Sequence, residues 1–208
     1  MPIRGKLISE IFSADVHELV LQAAPEDQFL EFKAELLDPR KPADRIEADR
    51  ADWVSDLVAF ANAQGGHIIV GVQADDRERA SRLQPMTGDD AKRLADALRD
   101  LAIAHIKPNV TQLEIQSFAI TSSEWIVIAV IPRSSDKPHM SSIHHGTRFM
   151  IRDGSRKREM AYDEIQKLFL NGPQQEILMQ FVSQVEEIKS QVESIHSRLV
   201  ELKPQPGK

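Results

Sequence analysis

Val58-Ala59-Phe60-Ala61-Asn62-Ala63-Gln64-Gly65-Gly66-His67-Ile68-Ile69-Val70-Gly71-Val72 decides the fold of this chain. Its first part closes a helix predicted over Arg50 to Ala63. Trp53, Leu57 and Phe60 recur there at i, i+4 and i+7, with Val54, Val58 and Ala61 beside them. Gly65-Gly66 stops that helix. His67 to Val72 then reads as a short strand, a mostly apolar and β-branched run of the kind buried on both faces. A helix delivered by a glycine pair into a buried strand belongs to a layered α/β core.

Outward from this stretch the pattern stays mixed. Asp15 to Ala23 is predicted as a short amphipathic helix, with Val16, Leu19 and Val20 on one side and Asp15 as its N-cap. Pro25 ends it. Phe29 to Lys33 reads as a strand, with Leu30 and Phe32 on one face and Phe29, Glu31 and Lys33 on the other. Asp38 to Pro42 is a loop by its prolines, and Asp75 to Arg82 a polar loop. Thr87 or Asp89 caps a helix carrying Leu94, Leu98, Leu101 and Ala102. Strands follow at Gln112 to Ile120, Trp125 to Ile131 and Arg148 to Arg152, and a helix at Tyr162 to Leu170. The expected class is α/β (α+β): a mixed sheet with packed helices, filling residues 1–172, with Gly172-Pro173 as the boundary.

The last segment has another period. Leu178, Phe181, Val185, Ile188, Val192, Ile195, Leu199 and Leu202 alternate in steps of three and four without a break, among Gln, Glu, Ser, Lys and Arg. That seam predicts a coiled-coil oligomerisation helix over residues 173–203 and hence a homo-oligomer, followed by a disordered tail at 204–208. The other reading is one amphipathic helix folded back on its own domain, whose stripe is usually wider.

Composition limits the function classes. The chain has 208 residues, 41% hydrophobic and 28% charged, as soluble globular proteins have. No apolar run approaches the roughly 20 residues of a membrane helix. Met1-Pro2-Ile3-Arg4-Gly5-Lys6 lacks the apolar core of a signal peptide, so a cytoplasmic protein without membrane partners is expected. There is no cysteine, which removes disulfides and any zinc–cysteine site. The net charge of −6 disfavours a protein that coats nucleic acid. The charge is uneven, however. Arg148, Arg152, Arg156, Lys157 and Arg158 stand against Asp153 alone between Gly146 and Arg158, with Arg133, Lys137, His139, His144 and His145 upstream. This is either a phosphate-binding face or a strand edge guarded by charge.

Glu26-Asp27-Gln28-Phe29-Leu30-Glu31-Phe32-Lys33 carries the candidate chemistry. A group of carboxylates is costly unless something positive neutralises it. Mg²⁺ or Mn²⁺ does so with oxygen ligands, and can activate water for phosphodiester cleavage. Spacing alone does not bring the acids together. Residues five apart lie on opposite faces of a strand, so Glu26 must enter from the turn after Pro25. Asp75 follows a strand end, a common place for α/β sites. Solvated surface acids are the plain alternative.

Together with Phe60-Ala61-Asn62, Gly65-Gly66, Gly71-Val72 and Asp75-Asp76, this segment resembles the Schlafen AlbA-like domain family over roughly Glu26 to Phe169. The resemblance implies an acidic metal site of Glu26, Glu31 and Asp75 holding Mg²⁺ or Mn²⁺, with Lys33 of the Glu-Phe-Lys motif beside it. It also implies phosphate contacts along the late strand and turn, which gives Arg148, Arg152, Ser155, Arg156, Lys157 and Arg158 as nucleic-acid contacts. One position departs from the family. Its aspartate stands second after Gly-Val, where this chain has Ala74 after Gln73, and Asp75 comes one place later. Some relatives carry an ATP label, but no phosphate-loop motif Gly-x-x-x-x-Gly-Lys-[Ser/Thr] occurs here and ATP is not expected. The implied function is a metal-dependent endoribonuclease acting on RNA, tRNA above all, in stress or antiviral defence. The alternatives are a non-catalytic, oligomeric nucleic-acid-binding regulator and a scaffold that recruits an enzyme through its coiled coil.

Overall fold

In the computed structural model, residues 3–143, 146–170, 183–185, 187–189 and 191–192 are described. The centre is a four-stranded mixed sheet. β1 (Leu30–Lys33) pairs in parallel with β2 (Gly66–Val70). β2 pairs antiparallel with β7 (Trp125–Ile131), and β7 with β6 (Glu114–Ala119). The order is β1-β2-β7-β6. β2 is therefore central, and Ile68, Ile69 and Val70 are fully buried, as its unbroken apolar run predicts.

The two sheet faces make two cores. On one, helix α2 (Ala43–Asn62) and helix α3 (Gly88–His105) pack Trp53, Leu57, Phe60 and Leu98 against Ile68, Val70, Val127 and Ala129. The Trp53 indole donates to the Leu98 carbonyl at 3.0 Å, so its polar atom is satisfied inside this core. On the other, helix α1 (Ser13–Leu21) and the preceding residues set Ile3, Ile8, Val16 and Leu19 against Phe32, Ile69, Ile126 and Ile128. Period two on β1 puts Leu30 and Phe32 into this second core. Glu31 and Lys33 are turned towards α2.

Several boundaries differ from the sequence expectation. α2 starts at Ala43 rather than Arg50. Its first two turns are largely exposed, so they carry no apolar stripe to read. The stretch expected as a polar loop, Asp75 to Arg82, holds most of strand β4 (Ala80–Leu83), which pairs with β3 (Val72–Ala74) in a hairpin and turns Ser81 and Arg82 to solvent. α1 is capped from Phe12, with Asp15 at its third position accepting the Phe12 N–H at 2.9 Å. Thr87, not Asp89, caps α3 by accepting from the Asp90 N–H at 3.2 Å. The linker after β7 contains β8 (Met140–Ser141), which pairs with β5 (Ile106–Lys107). β9 (Met150–Asp153) and β10 (Arg156–Glu159) form a hairpin over α2, followed by helix α4 (Tyr162–Leu170).

The seam residues Leu178, Phe181, Ile195, Leu199 and Leu202, the Gly172-Pro173 boundary, His144 and His145 lie outside the described residues. Val185, Ile188 and Val192 are exposed.

The end of α2 explains its motif. The Asn62 amide donates to the carbonyls of His139 at 2.8 Å and Met150 at 2.9 Å, and its oxygen accepts the His139 N–H at 2.7 Å. One buried side chain thus fixes the residue before β8 and the first residue of β9 to α2. Gly65 has φ +75°, and a Cβ there would stand 2.4 Å from the Ile131 oxygen, so only glycine fits this passage into β2. Asn62→Ala would leave three buried backbone groups unpartnered. We expect a loss of about 3 kcal/mol in urea unfolding with unchanged m, and a loss below about 1 kcal/mol would contradict the role given to Asn62.

Candidate functional site

β1, α2 and the β9–β10 hairpin enclose a cluster of charges. Glu31 leaves β1 towards α2 and is nearly buried. Arg152 Nη2 holds its Oε2 at 2.7 Å and Lys33 Nζ its Oε1 at 3.0 Å. Lys33 also meets Asp52 Oδ2 at 2.7 Å and Asp56 Oδ2 at 2.9 Å. Lys157 reaches in from β10 to Asp56 Oδ1 at 2.7 Å, to Asp52 Oδ1 and to the Asp52 carbonyl at 3.2 Å. Arg152 is buried over the Phe60 ring at 4.5 Å and donates to the carbonyls of Asp27 at 3.0 Å and Leu30 at 3.3 Å. Glu26 enters from the turn before β1 and accepts the Phe32 N–H at 2.9 Å.

The ion-paired charges of this cluster balance. Glu31, Asp52 and Asp56 face Lys33, Lys157 and Arg152. Burial pushes the Lys33 ammonium down, but Asp56, Glu31 and Asp52 outweigh it and hold the group above its ordinary value. Burial pushes Asp52 up, yet Lys33 and Lys157 keep it below the usual carboxylate range. Asp56 is raised by its burial, against the pull of both lysines. Glu26 takes no ion pair among the described residues. Burial, and then the charge of Glu31, lift it to about 7, with the Phe32 N–H, Lys33 and Arg152 opposing.

A family model described as Schlafen, AlbA_2 matches residues 26–161, well over half of the chain. The chain belongs to the Schlafen AlbA_2 family. Among solved structures it is similar to the DIP2311 protein from Corynebacterium diphtheriae, at 17% identity and TM-score 0.46, over 74% of this chain and 31% of that one. The chain thus spans less than a third of that protein. It is also similar to the N-terminal domain of a RecG-related protein from Nitrosomonas europaea, at 16% identity and TM-score 0.43, over 68% of this chain and 88% of that domain. No curated protein matches the chain.

Within the Schlafen AlbA_2 fold, the residues singled out by sequence separate into two groups. Glu26, Glu31, Lys33, Arg152 and Lys157 come together. Asp75 does not join them. Its carboxylate accepts the backbone N–H groups of Arg77 at 2.9 Å and Arg79 at 3.0 Å and pairs with Arg79 at 3.4 Å, closing the β3–β4 turn. Slight burial opposes these bonds, which keep Asp75 below its ordinary value. Ser155 donates to Glu78 Oε2 at 2.7 Å, joining the β9–β10 turn to the β3–β4 turn. Arg158 is held by Glu164 at 2.7 Å and Asp153 at 3.3 Å, and Arg148 lies 3.5 Å from Glu159. Arg156 is exposed and has no ion pair among the described residues.

Asp52 and Asp56 are the members that sequence reasoning missed. The signal was present at Asp56: it lies three residues after Trp53 and four before Phe60, so an acid stands within the apolar stripe of α2.

A divalent cation does not fit this donor set as arranged. Both oxygens of Glu31 carry a cation, Asp75 is engaged in its own turn, and no three His, Asp or Glu side chains form a metal-binding group among the described residues.

Two outcomes follow from this geometry. Arg152→Met would leave Glu31 short of a buried partner and cost about 3–5 kcal/mol in chemical denaturation. Adding Glu31→Gln should recover part of that loss, whereas strictly additive losses would deny the coupling. The second concerns pH. Glu26 keeps its proton in the folded state up to about 7, while the unfolded chain releases it near 4.5. The folded state binds the extra proton, so this group's contribution to stability falls as pH rises through that window. Glu26→Gln should remove that fall and stabilise the protein above the window by about 1 kcal/mol, a figure reduced for the group's residual contact with solvent. Urea midpoints across pH read the slope directly.

Proposed function

We propose that this chain is a nucleic-acid-binding module, with RNA the favoured ligand, whose charged cluster organises the fold instead of cutting the bound strand. The observation that carries this reading is the balance of the cluster. Three carboxylates are matched by three cations, and Asp75 is bound within its own turn. Membership of the Schlafen AlbA_2 family supports nucleic acid as the ligand. The first phosphate contact then falls to cations without internal partners. Arg77 and Arg156 are exposed and free of ion pairs among the described residues. Arg77 lies in the β3–β4 turn and Arg156 opens β10, next to the turn that Ser155 ties to Glu78. On a chain of net charge −6, such a local pair decides where a polyanion docks. The heptad seam from Leu178 to Leu202 would join copies and raise the effective affinity by avidity.

A metal-dependent endoribonuclease is the second reading. It is favoured by the proximity of Glu26 and Glu31, since burial and then the charge of Glu31 raise Glu26. It requires Glu31 to be released from Lys33 and Arg152.

Labelled tRNA and single-stranded DNA, titrated with protein at several salt concentrations and then run on gels with Mn²⁺, Mg²⁺ or EDTA, separate the two. Binding that weakens steeply with salt and leaves the strands intact is expected. Metal-dependent products that vanish in a Glu26→Ala/Glu31→Ala variant would establish the nuclease. The Arg77→Ala/Arg156→Ala variant should bind about tenfold more weakly, with a salt slope lower by roughly 1–2.

A further inference from the structure

Lys33 and Lys157 extend from different elements and close on the two oxygens of one carboxylate, that of Asp52. We propose that this lysine pair is a phosphate site which Asp52 occupies in the free protein. This rests on the nucleic-acid reading above and deepens it by naming where a phosphate enters.

The two aspartates under the lysines are not equivalent. The Asp56 side chain is 2% exposed and that of Asp52 is 43% exposed. Asp56 is the fixed counter-ion, walled in by α2 and the hairpin. Asp52 stands one helical turn earlier, at the mouth of the cluster, where its carboxylate can turn out to solvent. The ion pairs that Asp52 gives up are remade by the incoming anion on the same two ammonium groups. A phosphate offers the same paired anionic oxygens with more charge, and charge-assisted bonds to ammonium groups are the strong kind. The lysines stay aimed when Asp52 leaves. Lys157 still donates to the Asp52 backbone carbonyl at 3.2 Å and pairs with Asp56 at 2.7 Å, and Lys33 keeps Glu31 and Asp56. With Asp52 turned away, Glu31 and Asp56 face Lys33, Lys157 and Arg152, a surplus of one positive charge. The site therefore takes an anionic phosphate oxygen pair, from a nucleic-acid backbone or from a strand terminus.

The test is Asp52→Asn in the full chain, read by fluorescence anisotropy with one short RNA carrying either a terminal phosphate or a terminal hydroxyl. Asn keeps the size and can still accept from a lysine, and a melting curve checks the fold. Asp52→Asn should bind about tenfold more tightly than the wild type. Lys157→Met in the same background should abolish the gain. Asp89→Asn, an equal change of net charge at an exposed site on α3, should give much less. A gain with both RNAs assigns the site to the backbone, and a gain only with the phosphorylated one assigns it to the terminus. Equal gains in Asp52→Asn and Asp89→Asn, or none in Asp52→Asn, would overturn the proposal. If the wild type binds RNA through Arg77 and Arg156 while Asp52→Asn adds nothing, only this site fails. If no variant binds, the nucleic-acid reading fails with it.

Discussion

Glu31 is a carboxylate that strand β1 forces into the space between sheet and helix. Its neighbours Leu30 and Phe32 belong to the second core, so period two leaves it no route to open water. A buried carboxylate is tolerated only when it is paired and hydrogen-bonded. Arg152 and Lys33 meet that requirement, and the arrangement around them follows. Lys33 needs Asp52 and Asp56, which fixes the face that α2 presents. Those aspartates draw in Lys157, which fixes the β9–β10 hairpin. Arg152 reaches back to the Asp27 and Leu30 carbonyls and so holds the turn by which the chain enters β1. Three elements far apart in sequence are tied through one set of charges.

Such a set gives specificity of arrangement more than stability. The same groups, if apolar and well packed, would hold the elements together at least as well. What the charges add is a mouth, at Asp52, where internal pairing meets solvent. Glu26 feels the charge of Glu31, has no ion pair among the described residues, and is the member whose protonation changes near neutral pH. The Asn62 side chain does the complementary neutral work. It pins the strands that follow the long linker to the end of α2, so the hairpin carrying Arg152 and Lys157 arrives in place.

Much of this was legible in sequence, for physical reasons. The period of α2, the double burial of β2, the bounds of β7 and α4, and the split of β1 into an apolar and a charged face all depend on side chains close in the chain. The entry of Glu26 from the turn before β1 was legible too. The destination of Glu31 was not, because its partner Arg152 lies 121 residues away and the acids that share Lys33 with it stand 21 and 25 residues away on α2. Arg152 and Lys157 read as cations free for phosphate, and nothing local says that both turn inward. Asp75 read as a partner of Glu31, yet its own turn offers two N–H groups at short range. The β3–β4 hairpin was hidden because the exposed residues of β4 carry no apolar alternation.

A cluster whose ion pairs are balanced by its own side chains has no need of a divalent cation. Titration of Mn²⁺ against the wild-type protein, followed by the electron paramagnetic resonance of free Mn²⁺, tests this most directly. The balanced cluster predicts no stoichiometric uptake, and weak binding that Glu26→Gln leaves unchanged. One tightly held Mn²⁺ per chain, lost in Glu26→Gln and in Glu31→Gln, would contradict the account and place a metal where Lys33 and Arg152 now stand.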